Sequence, residues 1–180
     1  MDVLQKLQGA GVETHLIASK WGAITLEHET GLTVKDLWQY VHEVHGNANM
    51  AAPVSSGSFL FDAMVIVPCS ARTIGTIASG SGDTLLSRAA DVALKERRRL
   101  VLALREAPLS DIHLRNSLEV SRAGGIIFPL VPAFYSRPTT VEEVVGSLGS
   151  RILDLCGVTQ SHTARWGEDI GLDLGRGADG

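Results

Sequence analysis

The chain has 180 residues, 44% hydrophobic and 20% charged, with a net charge of −4; its pI is near 5.8 and its mean hydropathy +0.14. That length suits one domain with a sizeable core. The acidic balance excludes a field that gathers nucleic acid, Lys95-Glu96-Arg97-Arg98-Arg99 being only a local basic run. No apolar run is long enough to span a bilayer, and no secretory signal or membrane partner is expected. Two cysteines, Cys69 and Cys156, lack metal-ligand spacing and fit a reduced, cytoplasmic protein.

Residues 1–11 read as the last turns of an amphipathic helix closing on Gly9 and Gly11, leading directly into an apolar strand over 14–18. A helix ahead of the first legible strand usually follows a strand of its own. The expectation is therefore a strand and turn missing ahead of residue 1, the other reading being a fold that begins with a helix. Residues 20–30 look helical, and a further short helix runs through Thr33 to Trp38. Residues 42–58 are poor in large apolar side chains and read as a loop, of a length that is usually functional or mobile. A strand over 64–67, helices over 73–78 and 83–96, and a strand over 100–104 follow. Ser110 is an N-cap for a helix ending at Gly124-Gly125. Residues 126–130 form another strand, and Thr140-Val141-Glu142-Glu143 is a capping box for a helix ending near Gly157. Strands alternating with helices predict an α/β domain with a parallel sheet. It is read as one domain over residues 1–166 and a flexible tail over 167–180.

Four apolar runs each end in a polar cluster: Ser19-Lys20, then Ser70-Ala71-Arg72-Thr73, then Arg105-Glu106, then Pro132 to Tyr135. Open α/β sheets bind ligands at the carboxyl ends of their strands, so these clusters are expected to converge on one site. Ser70 and Thr73 bracket a helix start, where hydroxyls and free N–H groups suit a phosphate or ring carbonyl, or serve simply as N-caps. Glu106 beside Arg105 is either a poised proton carrier or half of a rim salt bridge before the Ala-Pro turn. Arg88 and Lys95, seven apart on one helix, could grip an anion; Asp91 between them offers the alternative of ordinary surface ion pairs. Tyr135 suits a site mouth or the core, and Ser55-Ser56-Gly57-Ser58 could let a backbone approach a ligand closely. Cys69 reads as a small buried residue rather than a nucleophile. Trp166 makes most sense docked, for instance on a neighbouring subunit. The six histidines show no paired metal spacing beyond His42 and His45. There is no glycine-rich phosphate loop and no Gly-x-Ser-x-Gly elbow.

Together, Val65-Ile66-Val67-Pro68-Cys69-Ser70, Arg88 to Arg98, Arg105-Glu106-Ala107-Pro108 and Pro132-Ala133-Phe134-Tyr135 closely resemble the flavin prenyltransferase family, formerly described as small subunits of aromatic acid decarboxylases. The resemblance runs from residue 1 to about Trp166. It implies a flavodoxin-like Rossmannoid fold, a three-layer sandwich around a parallel sheet, assembled as a homododecamer with FMN between subunits. It implies transfer of the prenyl group of dimethylallyl phosphate to N5 and C6 of reduced FMN without a metal. The product, prenylated FMN, would go to a partner decarboxylase of the ubiquinone-biosynthesis or phenolic-acid type.

Carried over by position, Ser19, Ser70, Ala71, Arg72, Thr73 and Arg105 are implied to contact FMN. Arg88, Lys95, Tyr135 and Arg151 are implied to hold the prenyl phosphate, and Trp166 to close over the site. Glu106 is implied as the acid/base carboxylate, with Ser70 and Lys95 beside it in catalysis. The family's opening strand and Gly-Ala-Ser-Gly turn have no counterpart in this sequence, and Asn49 stands where many relatives carry a tryptophan. Two other readings stay in view. One is an FMN-dependent decarboxylase of cysteine-type substrates, which the missing Pro-Ala-Ser-x-Asn motif disfavours. The other is a non-catalytic flavin-binding accessory subunit.

Overall fold

The computed structural model describes residues 1–160. Trp166 and the expected tail lie outside the described residues. Within them the order is α1 (Asp2–Gly9), β1 (His15–Ala18), α2 (Lys20–Thr30), a 3₁₀ turn (Val34–Tyr40), β2 (Glu43–Gly46), a second 3₁₀ turn (Pro53–Ser55), β3 (Ala63–Cys69), α3 (Ala71–Ser79), α4 (Leu85–Lys95), β4 (Arg99–Leu104), α5 (Asp111–Arg122), β5 (Ile126–Pro129) and α6 (Val141–Cys156).

All pairings among the described strands are parallel. β1 pairs with β2, and β4 lies between β3 and β5 in a second sheet. β4 explains the layering. Leu100, Leu102 and Leu104 share one face and join Ile66, Ile74, Ile77, Ala90, Ala93 and Val120 in a core roofed by α3, α4 and α5. Val101 and Ala103, equally buried, alternate to the opposite face, where α6 packs with its buried Ile152 and Leu153. Helices on both faces of a parallel sheet make the flavodoxin-like three-layer α/β architecture.

One expectation needs correction. The stretch 42–58 is not wholly a loop, because Glu43–Gly46 forms β2, in register with β1 from His15↔Glu43 to Ala18↔Gly46. Its one fully buried side chain is a histidine, His45, which no apolar pattern announces. The capping box at Thr140 is also rearranged. Thr140 Oγ1 accepts from the Glu143 N–H at 3.1 Å, but the Glu143 carboxylate accepts from the Thr139 N–H at 2.6 Å instead of from Thr140. The 83–96 helix is shorter than expected, starting after the N-cap Thr84.

Candidate active site

Register in the three-stranded sheet decides where the polar clusters go. Cys69 pairs with Leu104 and Leu104 with Pro129. The next residues, Ser70, Arg105 and Leu130, therefore leave the sheet along one edge. Two hydrogen bonds fix that edge: Arg105 N–H donates to the Cys69 carbonyl at 3.0 Å, and Leu130 N–H to the Leu104 carbonyl at 2.9 Å.

At this edge Ser70 is the N-cap of α3. Its Oγ accepts from the Thr73 N–H at 3.2 Å and sits 3.0 Å from the Thr73 hydroxyl. The N-cap reading is thus realised by Ser70, while the Ser70 hydroxyl stays exposed and the Thr73 hydroxyl half-buried beside the helix start. The Ala71 and Arg72 amides make no hydrogen bond among the described residues, as expected of the first amides of a helix, and they carry the positive end of its dipole. Arg72 is exposed and Ala71 buried. Arg105 and Glu106 are both exposed, and neither side chain makes a hydrogen bond or ion pair among the described residues. The rim salt bridge between them is not formed. Cys69, just beneath, is 1% exposed, and burial pushes its thiol up to about 12, so it is a packing residue and no nucleophile.

Arg88 and Lys95 belong to α4, over which the 47–59 segment lies. Asn47 caps that helix: its carbonyl accepts from the Leu85 N–H at 2.8 Å and its Oδ1 from the Leu86 N–H at 3.0 Å. Arg88 Nε donates to the Ser55 carbonyl at 3.1 Å, and its Nη1 pairs with Asp91 at 2.6 Å. Arg98 donates to the Gly57 and Phe59 carbonyls at 2.7 Å each and covers the Phe61 ring at 4.5 Å. Gly57 comes so close to α4 that an added Cβ would lie 2.2 Å from Glu96 Oε1 and 2.8 Å from Lys95 Nζ. The surface-pair alternative is thus half realised, for Arg88 takes Asp91 while Lys95 pairs with Glu96. That contact, with Arg98 adding to it, holds the Glu96 carboxyl below its ordinary value. Asn47 and Arg98 escaped the sequence reading because their partners are backbone groups about forty residues away.

Of the remaining expected residues, Ser19 caps α2, accepting from the Gly22 N–H at 3.0 Å. It lines a cleft of about 730 Å3 beside β1 and β2 that takes in Lys20, Trp38 and His42 but none of residues 70–73 or 105–106. Tyr135 is exposed beyond β5. Arg151, on α6, faces Asp154 at 3.6 Å. The geometry of the single chain therefore gathers Ser70 to Thr73 with Arg105 and Glu106. It leaves Arg88 and Lys95 on α4, Arg151 on α6 and Ser19 on the other sheet.

Comparison with known proteins gives this edge its context. Residues 1–148 match the family model described as flavoprotein. A probable UbiX-like flavin prenyltransferase of Bacillus subtilis (strain 168) is 46% identical over 164 residues, covering 91% of this chain and 80% of its own length. The chain belongs to the flavoprotein family, among its UbiX-like flavin prenyltransferases. A crystal structure of AnUbiX (PadA1) in complex with FMN and dimethylallyl pyrophosphate matches with a TM-score of 0.89 and 51% identity, over 91% of this chain and 87% of that one. A dodecameric FMN-dependent UbiX-like decarboxylase from Escherichia coli O157:H7 matches at 0.87 and 45% identity, over 91% and 89%. An FMN-dependent cysteine decarboxylase, TvaF, at 17% identity and 0.57, shares the fold alone. The cysteine-decarboxylase reading thus gains nothing beyond fold, and the prenyltransferases are the relatives in sequence as well as in shape.

Proposed function

We propose that this chain joins the dimethylallyl group of dimethylallyl phosphate to reduced FMN and passes the prenylated flavin to an aromatic acid decarboxylase. The observation that carries this reading is the edge where Ser70 to Thr73, Arg105 and Glu106 emerge side by side from a buried parallel sheet. FMN fits that donor set: two amides at a helix start and a guanidinium, none of them partnered among the described residues, with two hydroxyls, are the groups an anionic, carbonyl-bearing ring system needs. Reduced FMN, when bound, supplies the nucleophilic N5 and C6.

The protein's part is to hold both reactants and manage charge. Ser19, Ser70, Ala71, Arg72, Thr73 and Arg105 bind the flavin. Arg88, Lys95, Tyr135 and Arg151 receive the phosphate as the allylic C–O bond breaks and its electron pair leaves with oxygen; fixed cations stabilise that developing anion. Glu106 takes or returns the proton at the flavin nitrogen, with Ser70 and Lys95 assisting. Arg88, Lys95 and Arg151 come from helices rather than from this edge, which suits a site completed by neighbouring copies in a homododecamer. A reducing cytoplasm suits the two free cysteines.

The test is anaerobic incubation with reduced FMN and dimethylallyl phosphate, followed by mass measurement of the extracted flavin. A gain of one prenyl unit with release of phosphate is expected. Unchanged flavin that remains bound would favour the non-catalytic flavin-binding subunit instead.

A further inference from the structure

The β1–β2 pair carries a cluster that the flavin chemistry does not use. Parallel register sets His15 opposite Glu43 and Ile17 opposite His45, and residues two apart on a strand share a face. His15, Glu43 and His45 therefore project from one side of the pair. His15 Nδ1 lies 2.9 Å from His45 Nε2 and 3.6 Å from a Glu43 carboxylate oxygen. One donor atom from each of the three falls within 4.8 Å of the others. The two imidazoles lie within 3° of parallel, and His45 is 5% exposed. Behind them, Glu13 faces the other nitrogen of His15 at 3.4 Å and reaches His42 at 3.8 Å, while Phe59 sets its ring against His15.

We propose that His15, Glu43 and His45 form a binding site for a divalent ion of the zinc class, clamping β1 to β2, with a fourth position left to water. Tetrahedral donors about 2.0–2.1 Å from zinc stand roughly 3.3 Å apart, between the 2.9 and 3.6 Å found here. The ion replaces the ring-to-ring hydrogen bond, so small side-chain shifts are enough to admit it. Glu13 against Nε2 is the outer carboxylate that fixes a ligating histidine's tautomer and turns Nδ1 inward. Of the three only His45 is buried, and a buried polar group is costly unless paired or ligating; half-buried His15 and exposed Glu43 leave the cluster reachable from solvent. The three ligands stand on the strands themselves, while Ser19 follows the end of β1; Glu43 and His45 also line the cleft that Ser19 borders.

Cobalt(II) is the probe, added to the untagged full chain after chelator treatment. The expected result is a saturable visible absorption of tetrahedral intensity at one Co²⁺ per chain, displaced by one equivalent of Zn²⁺. His15→Ala and His45→Ala should abolish it. Because His45 is buried and its variant could fail to fold, Glu43→Gln and Glu13→Gln at exposed carboxylates give the decisive arms. Each should weaken Co²⁺ about tenfold or more with an unchanged circular dichroism spectrum. No saturable band in the unaltered chain, or a band that survives both Glu43→Gln and His15→Ala, overturns the assignment.

Discussion

The central strand β4 and the strand β1 are both written mostly in apolar residues but bury them differently. Leu100, Val101, Leu102 and Ala103 of β4 have no exposed surface, whereas all four residues of β1 are half-buried. β4 has a strand on each side and helices on both faces, while β1 has β2 as its single strand partner among the described residues. A sealed strand leaves ligand-directed chemistry nowhere to sit but beyond its end, and there the Arg105 and Glu106 side chains stand exposed without partners among the described residues. On the more open pair, polar groups enter the strand faces and satisfy one another, as His15, Glu43 and His45 do.

The largest effect that would break this contrast is catalytic. Glu106→Gln should cut prenyl transfer by roughly 10²–10⁴-fold, the range of a lost general acid or base, with FMN affinity nearly unchanged; single-turnover kinetics beside a flavin titration would check both. Next comes packing. Leu102→Ala should cost about 2–5 kcal/mol in denaturant unfolding, and Ile17→Ala on the half-buried β1 clearly less. Equal costs would mean that the two sheets are equally sealed.

A third effect is pH-dependent. Burial raises the Cys69 thiol to about 12 from an ordinary 9, and raises Cys156 in the same direction. Above pH 9 the unfolded chain loses those protons and the folded chain keeps them. Stability should therefore fall as pH rises from 9 toward 12, by at most about 1.4 kcal/mol per unit from the Cys69 thiol, Cys156 acting in the same direction. Cys69→Ala should flatten the slope, as followed by urea unfolding at stepped pH. The smallest effect is at the N-cap of α3. Ser70→Ala should cost about 1 kcal/mol by removing the acceptor for the Thr73 N–H, and should also weaken FMN binding if the same hydroxyl serves the flavin.

β3, β4 and β5 were legible because each is an unbroken apolar run, fully buried in β4 and largely half-buried in β3 and β5, and the polar residues after each run pointed to the candidate site. β2 was not legible. Its four residues, Glu-Val-His-Gly, carry one large apolar side chain, and His45 is accommodated by His15, thirty residues away. A contact of that kind has no local signature. The same limit applies on α4: the spacing from Arg88 to Asp91 announced their ion pair, but that Gly57 of a distant segment comes up against the Lys95–Glu96 pair has no local signature. The identity of the flavin-directed residues came from resemblance, since exposure without partners is visible only once the fold is known.

The most direct test of the contrast is an FMN binding titration by flavin fluorescence on the unaltered chain, Arg105→Ala and Glu43→Gln. Loss of a charge-assisted contact should weaken FMN about tenfold or more in Arg105→Ala. Glu43→Gln should stay within about twofold of the unaltered chain. Equal affinities for the unaltered chain and Arg105→Ala, or a loss confined to Glu43→Gln, would contradict a flavin site at the carboxyl edge of β3, β4 and β5.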